Sequence, residues 1–121
     1  MPYCYLIQPT ELLGTNRYKV GMSSLDNLSR VQSYKKGTRY LMICECIDAI
    51  EVERKIIREF NYVYQCIAGN EYFEVDDELK MLNLFINVVM SHKNHIDKDI
   101  EEEGQKNKVK WMSRFAFKSQ A

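Results

Sequence analysis

The sequence predicts an α+β domain: a small, mainly antiparallel sheet of three to four strands flanked by helices, with a C-terminal helical extension. Three observations predict it. Short β-branched and aromatic runs alternate with longer stretches of helical apolar spacing. At 121 residues the chain has room for one domain and a tail, divided here as 1–90 and 91–121. Its hydrophobic fraction, 45%, is enough for one modest core.

Tyr3–Gln8 has strand composition and is stopped by Pro9. Gly14, Thr15 and Asn16 supply turn chemistry before a second strand from Arg17 to Met22, so the two form a hairpin. Ser23, Ser24 and Asp26 are candidate caps for a helix to about Tyr34, with Leu25, Leu28 and Val31 facing the core. The run from Lys35 to Thr38 breaks that helix. Arg39–Ile47 is the strongest strand signal, and its nearly continuous apolar centre, Leu41 to Ile43, predicts a central position.

Asp48 is then expected to cap an amphipathic helix through Phe60 or Tyr62, with Ile50, Ile56, Ile57 and Phe60 as apolar positions. Ala68, Gly69 and Asn70 form a turn, and Glu71–Val75 a short strand. Asp76, Asp77 and Glu78 give a third helix the acidic first turn that its dipole favours. From Ser91 the composition turns polar. The tail is either a solvated helix with an aromatic docking end (Trp111, Phe115, Phe117) or partly disordered.

Seventeen basic and seventeen acidic residues cancel, so net charge alone does not argue for a nucleic-acid partner. Their distribution is uneven. Residues 1–40 hold six basic and two acidic side chains, whereas 41–80 hold four basic and ten acidic. Screening over roughly 10 Å lets a basic end present a positive patch on a neutral protein. The opening residues lack the charged start and apolar run of a secretory leader, so none is expected, and no stretch reaches the roughly 20 apolar residues of a membrane span. Cys4, Cys44, Cys46 and Cys66 lie among apolar neighbours. Cys44 and Cys46 lack the spacing of a zinc knuckle, and buried free thiols in a reducing intracellular compartment are the expectation.

Two charged residues fall where chemistry is plausible. Ile50, Glu53, Ile57 and Phe60 share a helix face, so Glu53 interrupts an apolar stripe and needs a cation, a hydrogen-bond network or a metal ion. The alternative is that Glu53 borders the stripe and pairs with Arg or Lys. Arg30 precedes Tyr34 by four residues. A guanidinium and a phenol on one rim suit a phosphodiester, although a solvated arginine beside a half-buried tyrosine is equally compatible with the spacing.

Tyr5 within Tyr3–Ile7, then Tyr18-Lys19-Val20-Gly21-Met22-Ser23, then Arg30, resembles the opening of the GIY-YIG nuclease superfamily. The segment is most similar to the phage and large-DNA-virus DNA-binding branch, whose second motif reads Y-K-I-G. Glu53–Phe60 resembles that branch's helix pattern, and Gly69–Phe73 its G-x-E-[WY]-F signature. The likeness runs from Tyr3 to Val75.

The resemblance implies a metal-dependent DNA endonuclease, with Tyr5, Lys19, Arg30, Tyr34 and Glu53 as site residues. Glu53 would hold one Mg²⁺ or Mn²⁺, Arg30 would stabilise charge on phosphate, and Tyr5, with Tyr34, would orient or deprotonate water. A tyrosine with a pKa of about 10 needs positive charge nearby for such work, which Lys19 could supply. Lys19 stands where other members carry a second tyrosine, and a protonated lysine cannot accept a proton. A DNA-binding module without cleavage, using Lys19, Arg30, Lys35, Lys36 and Arg39 on phosphates, is therefore the alternative. A third reading is a protein-interaction domain, with the C-terminal extension docking a partner or a second copy. No membrane partner is expected, and a DNA substrate implies the cytoplasm or nucleus of a host cell.

Overall fold

A computed structural model of the chain describes residues 2–24 and 32–107, with side chains described as far as residue 100. Its strands are β1 (Tyr3–Gln8), β2 (Arg17–Ser23), β3 (Arg39–Glu45), β4 (Gln65–Ala68) and β5 (Tyr72–Glu74). Its helices are α1 (Ala49–Val63) and α2 (Glu78–Asn107), and a single 3₁₀ turn, Thr10–Leu12, follows Pro9. The strands form one sheet in the order β3-β1-β2-β5-β4, and every pairing is antiparallel. The α+β class is as expected. The sheet has five strands, one more than the expected three to four, because Gln65–Ala68 pairs with β5 through the Gly69 turn.

Two units are distinguished, Met1–Val89 and Met90–Ala121. In the first, β1 is buried along all six residues and pairs on both sides. Alternation along β1 and β2 separates two faces. Cys4, Leu6, Tyr18 and Val20 join Val52, Ile56, Phe60, Phe73 and Phe85 in the main core. Tyr3, Tyr5 and Ile7 form a second cluster with Tyr34. Apolar burial at roughly 25 cal/mol per Å² makes the first face the main source of stability.

Three expectations are corrected. β3 is an edge strand, not a central one: its apolar run packs on β1 from one side, and a bulge between Leu6 and Ile7 shifts its register. Leu41, Met42 and Cys44 pack against the main core, whereas Ile43 is exposed. Asp48 occupies the position before α1 in a left-handed conformation, φ 59°, and makes no side-chain cap hydrogen bond. The buried stripe of α1 is Ala49, Val52, Ile56 and Phe60, while Ile50 is 68% exposed. That rotation puts Glu53 at the border of the stripe, half-buried, instead of inside it.

The expected helix after Ser24 falls mostly on residues 25–31, which lie outside the described residues, as do Trp111, Phe115 and Phe117. Gly37, at φ 99°, provides the break expected after Tyr34, and the Thr38 amide donates to the Lys35 carbonyl at 3.2 Å. Among the described residues, no helix is long and apolar enough to cross a membrane.

Candidate functional site

The hairpin of β1 and β2 sets Tyr5 opposite Gly21 and Ile7 opposite Lys19, all on the second face. Gly21 is what allows the tyrosine to lie there. A Cβ built at Gly21 would come within 2.5 Å of Tyr5 Cε1 and Oη, a clash with a fully buried ring. The glycine therefore acts through close approach, not through an unusual backbone angle.

Tyr5 Oη lies 3.0 Å from Tyr34 Oη, and the two rings meet edge to face with centroids 5.9 Å apart. Lys19 Nζ donates to Tyr34 Oη at 2.6 Å. The lysine is only 9% exposed, and its ammonium lies 5.0 Å from the Tyr34 ring centroid and 5.5 Å from that of Tyr72. An ammonium has donors only, so Tyr34 Oη accepts from it. The Tyr34 proton can then be donated to Tyr5 Oη, giving an ordered line from Lys19 through Tyr34 to Tyr5. The electrostatic consequence is that negative charge developing on Tyr34 is stabilised by a buried cation.

Tyr5, Lys19 and Tyr34 are therefore brought together. Arg30 lies outside the described residues. Glu53 projects from α1, the helix packed against Cys4 and Leu6, and its carboxylate acts on the Cys4 thiol. Lys35 and Lys36 are exposed in the turn after Tyr34, where their carbonyls face Thr10 Oγ1. Arg39 has another setting: its guanidinium donates to Gln8 Oε1 at 2.8 Å and pairs with Glu78 at 2.8 Å. Tyr18 donates to the same Glu78 carboxylate at 3.1 Å. Arg39 thus links β1, β3 and the start of α2 on the helix-covered side.

Tyr72 and Tyr3 escaped the sequence reading of the site. Tyr72 was expected only as part of a short strand, but β2–β5 pairing places it opposite Lys19, where its ring borders the ammonium. Tyr3 packs against Tyr5 at a centroid distance of 6.2 Å, and its buried hydroxyl has no hydrogen-bond partner among the described residues. The signal available for Tyr3 was its two-residue spacing from Tyr5. For Tyr72 there was none, because the register between distant strands is not written locally.

For a divalent ion, the described residues contain no group of three or more His, Cys, Asp or Glu side chains able to hold one. A single half-buried carboxylate at Glu53 is compatible with Mg²⁺, which keeps several waters and often takes few protein ligands. Comparison with known proteins found no matching family model, no matching curated protein and no matching solved structure.

Proposed function

We propose that this chain is a metal-dependent DNA endonuclease-like domain of GIY-YIG type that hydrolyses phosphodiester bonds in DNA. The observation that carries the proposal is the line of Lys19 Nζ, Tyr34 Oη and Tyr5 Oη, at 2.6 and 3.0 Å, across the face where Gly21 admits the Tyr5 ring. Tyr34 and Tyr5 orient the attacking water and accept its proton. Lys19 favours that transfer by stabilising the phenolate form of Tyr34, which takes the proton and becomes the neutral phenol. Arg30 binds a phosphate oxygen and offsets the charge that grows on it. Glu53 would hold the Mg²⁺ or Mn²⁺ ion, which when bound supplies further stabilisation of charge on phosphate. A DNA substrate places this activity inside a cell, in the cytoplasm or nucleus.

Lys19 also favours the second reading, a DNA-binding module without cleavage. Its ammonium is a donor that can bind phosphate, and it stands where a second phenol would otherwise serve the proton transfer. Lys35 and Lys36, exposed beyond Tyr34, would extend that binding surface.

The test is plasmid nicking with Mg²⁺ or Mn²⁺, together with duplex binding across a salt series. The endonuclease reading expects metal-dependent nicks that disappear with Glu53→Ala and with Arg30→Ala. Intact plasmid with binding retained, at a log–log salt slope of about −0.9 per phosphate neutralised, would replace it with the second reading. Loss of neither activity on Lys19→Met would remove the lysine–tyrosine line from both.

A further inference from the structure

Lys19 is a buried cation with no carboxylate beside it. It is only 9% exposed, yet none of the ion pairs among the described residues includes it. Two residues earlier on β2, Arg17 makes an ordinary cross-strand pair with Glu74 at 3.8 Å; opposite Lys19 the same strand offers Tyr72. Taking a cation out of water is costly unless other groups replace the lost hydration. Tyr34 Oη, at 2.6 Å, serves one of the three N–H donors.

Further compensation comes from two ring faces. Lys19 Nζ lies 5.0 Å from the Tyr34 centroid and 5.5 Å from that of Tyr72, both inside the roughly 6 Å range of a cation–π contact. Backbone pairing is what brings the Tyr72 ring there. The Val20 amide donates to the Glu71 carbonyl at 2.9 Å, one residue beyond the Lys19–Tyr72 pair, and so fixes the register. On its other side Tyr72 pairs with Ala68 across the turn at Gly69, whose φ is 53°. A lysine stem is long and flexible, so one hydrogen bond leaves its ammonium several ways to turn. Rings on two separate elements close those ways.

We propose that Tyr72 is a positioning residue, whose ring holds the Lys19 ammonium against Tyr34 and keeps its donor bond to Tyr34 Oη in place. The ring face is what acts, because the attraction comes from the π-electron quadrupole and not from the hydroxyl. Tyr72 touches neither phosphate nor the attacking water in this role. Without the ring, the ammonium turns toward solvent, where water replaces the lost contact. Tyr34 then loses the cation that stabilises its phenolate. The clamp on Lys19 stands on geometry alone, and only its consequence for cleavage rests on the endonuclease reading.

Proton NMR of the full wild-type chain is the first test, and it decides the matter even where a variant fails to fold. Ring currents should move the Lys19 ε-methylene protons upfield of the other lysines, with cross-peaks to the ring protons of both Tyr34 and Tyr72. Ordinary shifts without a cross-peak to Tyr72 would overturn the inference. In urea unfolding, Tyr72→Leu should lower the folding equilibrium constant about three- to tenfold more in the wild-type chain than in Lys19→Met. Tyr72→Phe should change it by less than about twofold. Equal losses from Tyr72→Leu in both backgrounds would also overturn the clamp. In plasmid nicking, Tyr72→Leu should slow the rate at saturating DNA about tenfold while duplex affinity stays within about threefold, and Tyr72→Phe should keep the wild-type rate. Loss of affinity with an unchanged rate would make Tyr72 a DNA contact instead. A wild-type chain that never nicks would remove the endonuclease reading, and the NMR and unfolding results would still decide the clamp.

Discussion

The two faces of the sheet share the same strands and hold their side chains by different physics. On the helix-covered face, Phe60 meets Tyr64 and Phe73 edge to face at 5.4 and 5.3 Å, surrounded by aliphatic side chains. On the other face, Tyr5, Tyr34 and Lys19 are joined by directional bonds between polar tips, with Tyr72 beside the cation. The first face is sensitive to volume, because contacts there are many, weak and non-directional. The second is sensitive to which atom stands where. Alternate residues of a single hairpin supply both.

The contrast breaks most readily at Phe60. Phe60→Ala should cost about 3–5 kcal/mol in urea unfolding, since it leaves a cavity among fixed rings. A loss below about 1 kcal/mol would show that α1 does not seal this face. On the other face the largest effect belongs to Gly21→Ala, expected to cost about 1–3 kcal/mol through overpacking against Tyr5. Adding Tyr5→Leu should recover part of it, so the double variant is less destabilised than the sum of the singles. Full additivity would mean that the ring does not meet the glycine.

Alkaline pH probes mainly the helix-covered face. Burial, with the hydrogen bond to Glu78, raises the Tyr18 phenol above its ordinary 10.0, and burial raises that of Tyr64. Interaction with Cys46, with burial, raises the Cys4 thiol above 9.0. The folded chain therefore keeps protons that the unfolded chain releases above about pH 9 to 10, and stability falls as pH rises through that range. Cys46 has the opposite sign. Its thiol is held at about 7, so its contribution is complete above 9.0 and is lost as pH falls through about 7. Urea midpoints should rise from pH 7 to about 9 and then decline. Cys46→Ser should flatten the rise, and Tyr18→Phe should soften the decline. A profile unchanged by either variant would contradict these assignments.

The smallest effect is expected at Arg39. Its pair with Glu78 is half-exposed on both sides, so Arg39→Met should cost less than about 1 kcal/mol. Because the guanidinium already serves Gln8 and Glu78, this variant should leave DNA binding within about twofold, in contrast to Lys19→Met. A large loss of DNA binding with unchanged stability would return Arg39 to the candidate phosphate surface.

Local chemistry in the sequence was sufficient for the hairpin, the turn at Gly37, the helix from Ala49 and the strand around Phe73. Each rests on residues near one another in the chain: Pro9 and Gly14 in turns, and 3-4 apolar spacing along α1. The same local signal misjudged rotation by one residue on α1, because Ile50 and Ala49 fit a stripe equally well until the sheet selects Ala49. It also made an edge strand look central, because Leu41, Met42 and Ile43 carry no mark of how many neighbours they meet. Tyr5, Lys19 and Tyr34 were legible as candidates from a motif resemblance, and their bonding to one another was not.

By itself, then, the sequence determined the kinds of element, their order, and the presence of a tyrosine, a lysine and a glycine at fixed offsets within one hairpin. Only the tertiary structure decided that β1 would be paired on both sides, that Tyr72 would face Lys19 from a strand some fifty residues later, and that Cys4 would lie opposite Cys44. The physical reason is register. Side-chain alternation is a local property of each strand, whereas which residues lie opposite one another is set by packing against α1 and by turns remote in sequence.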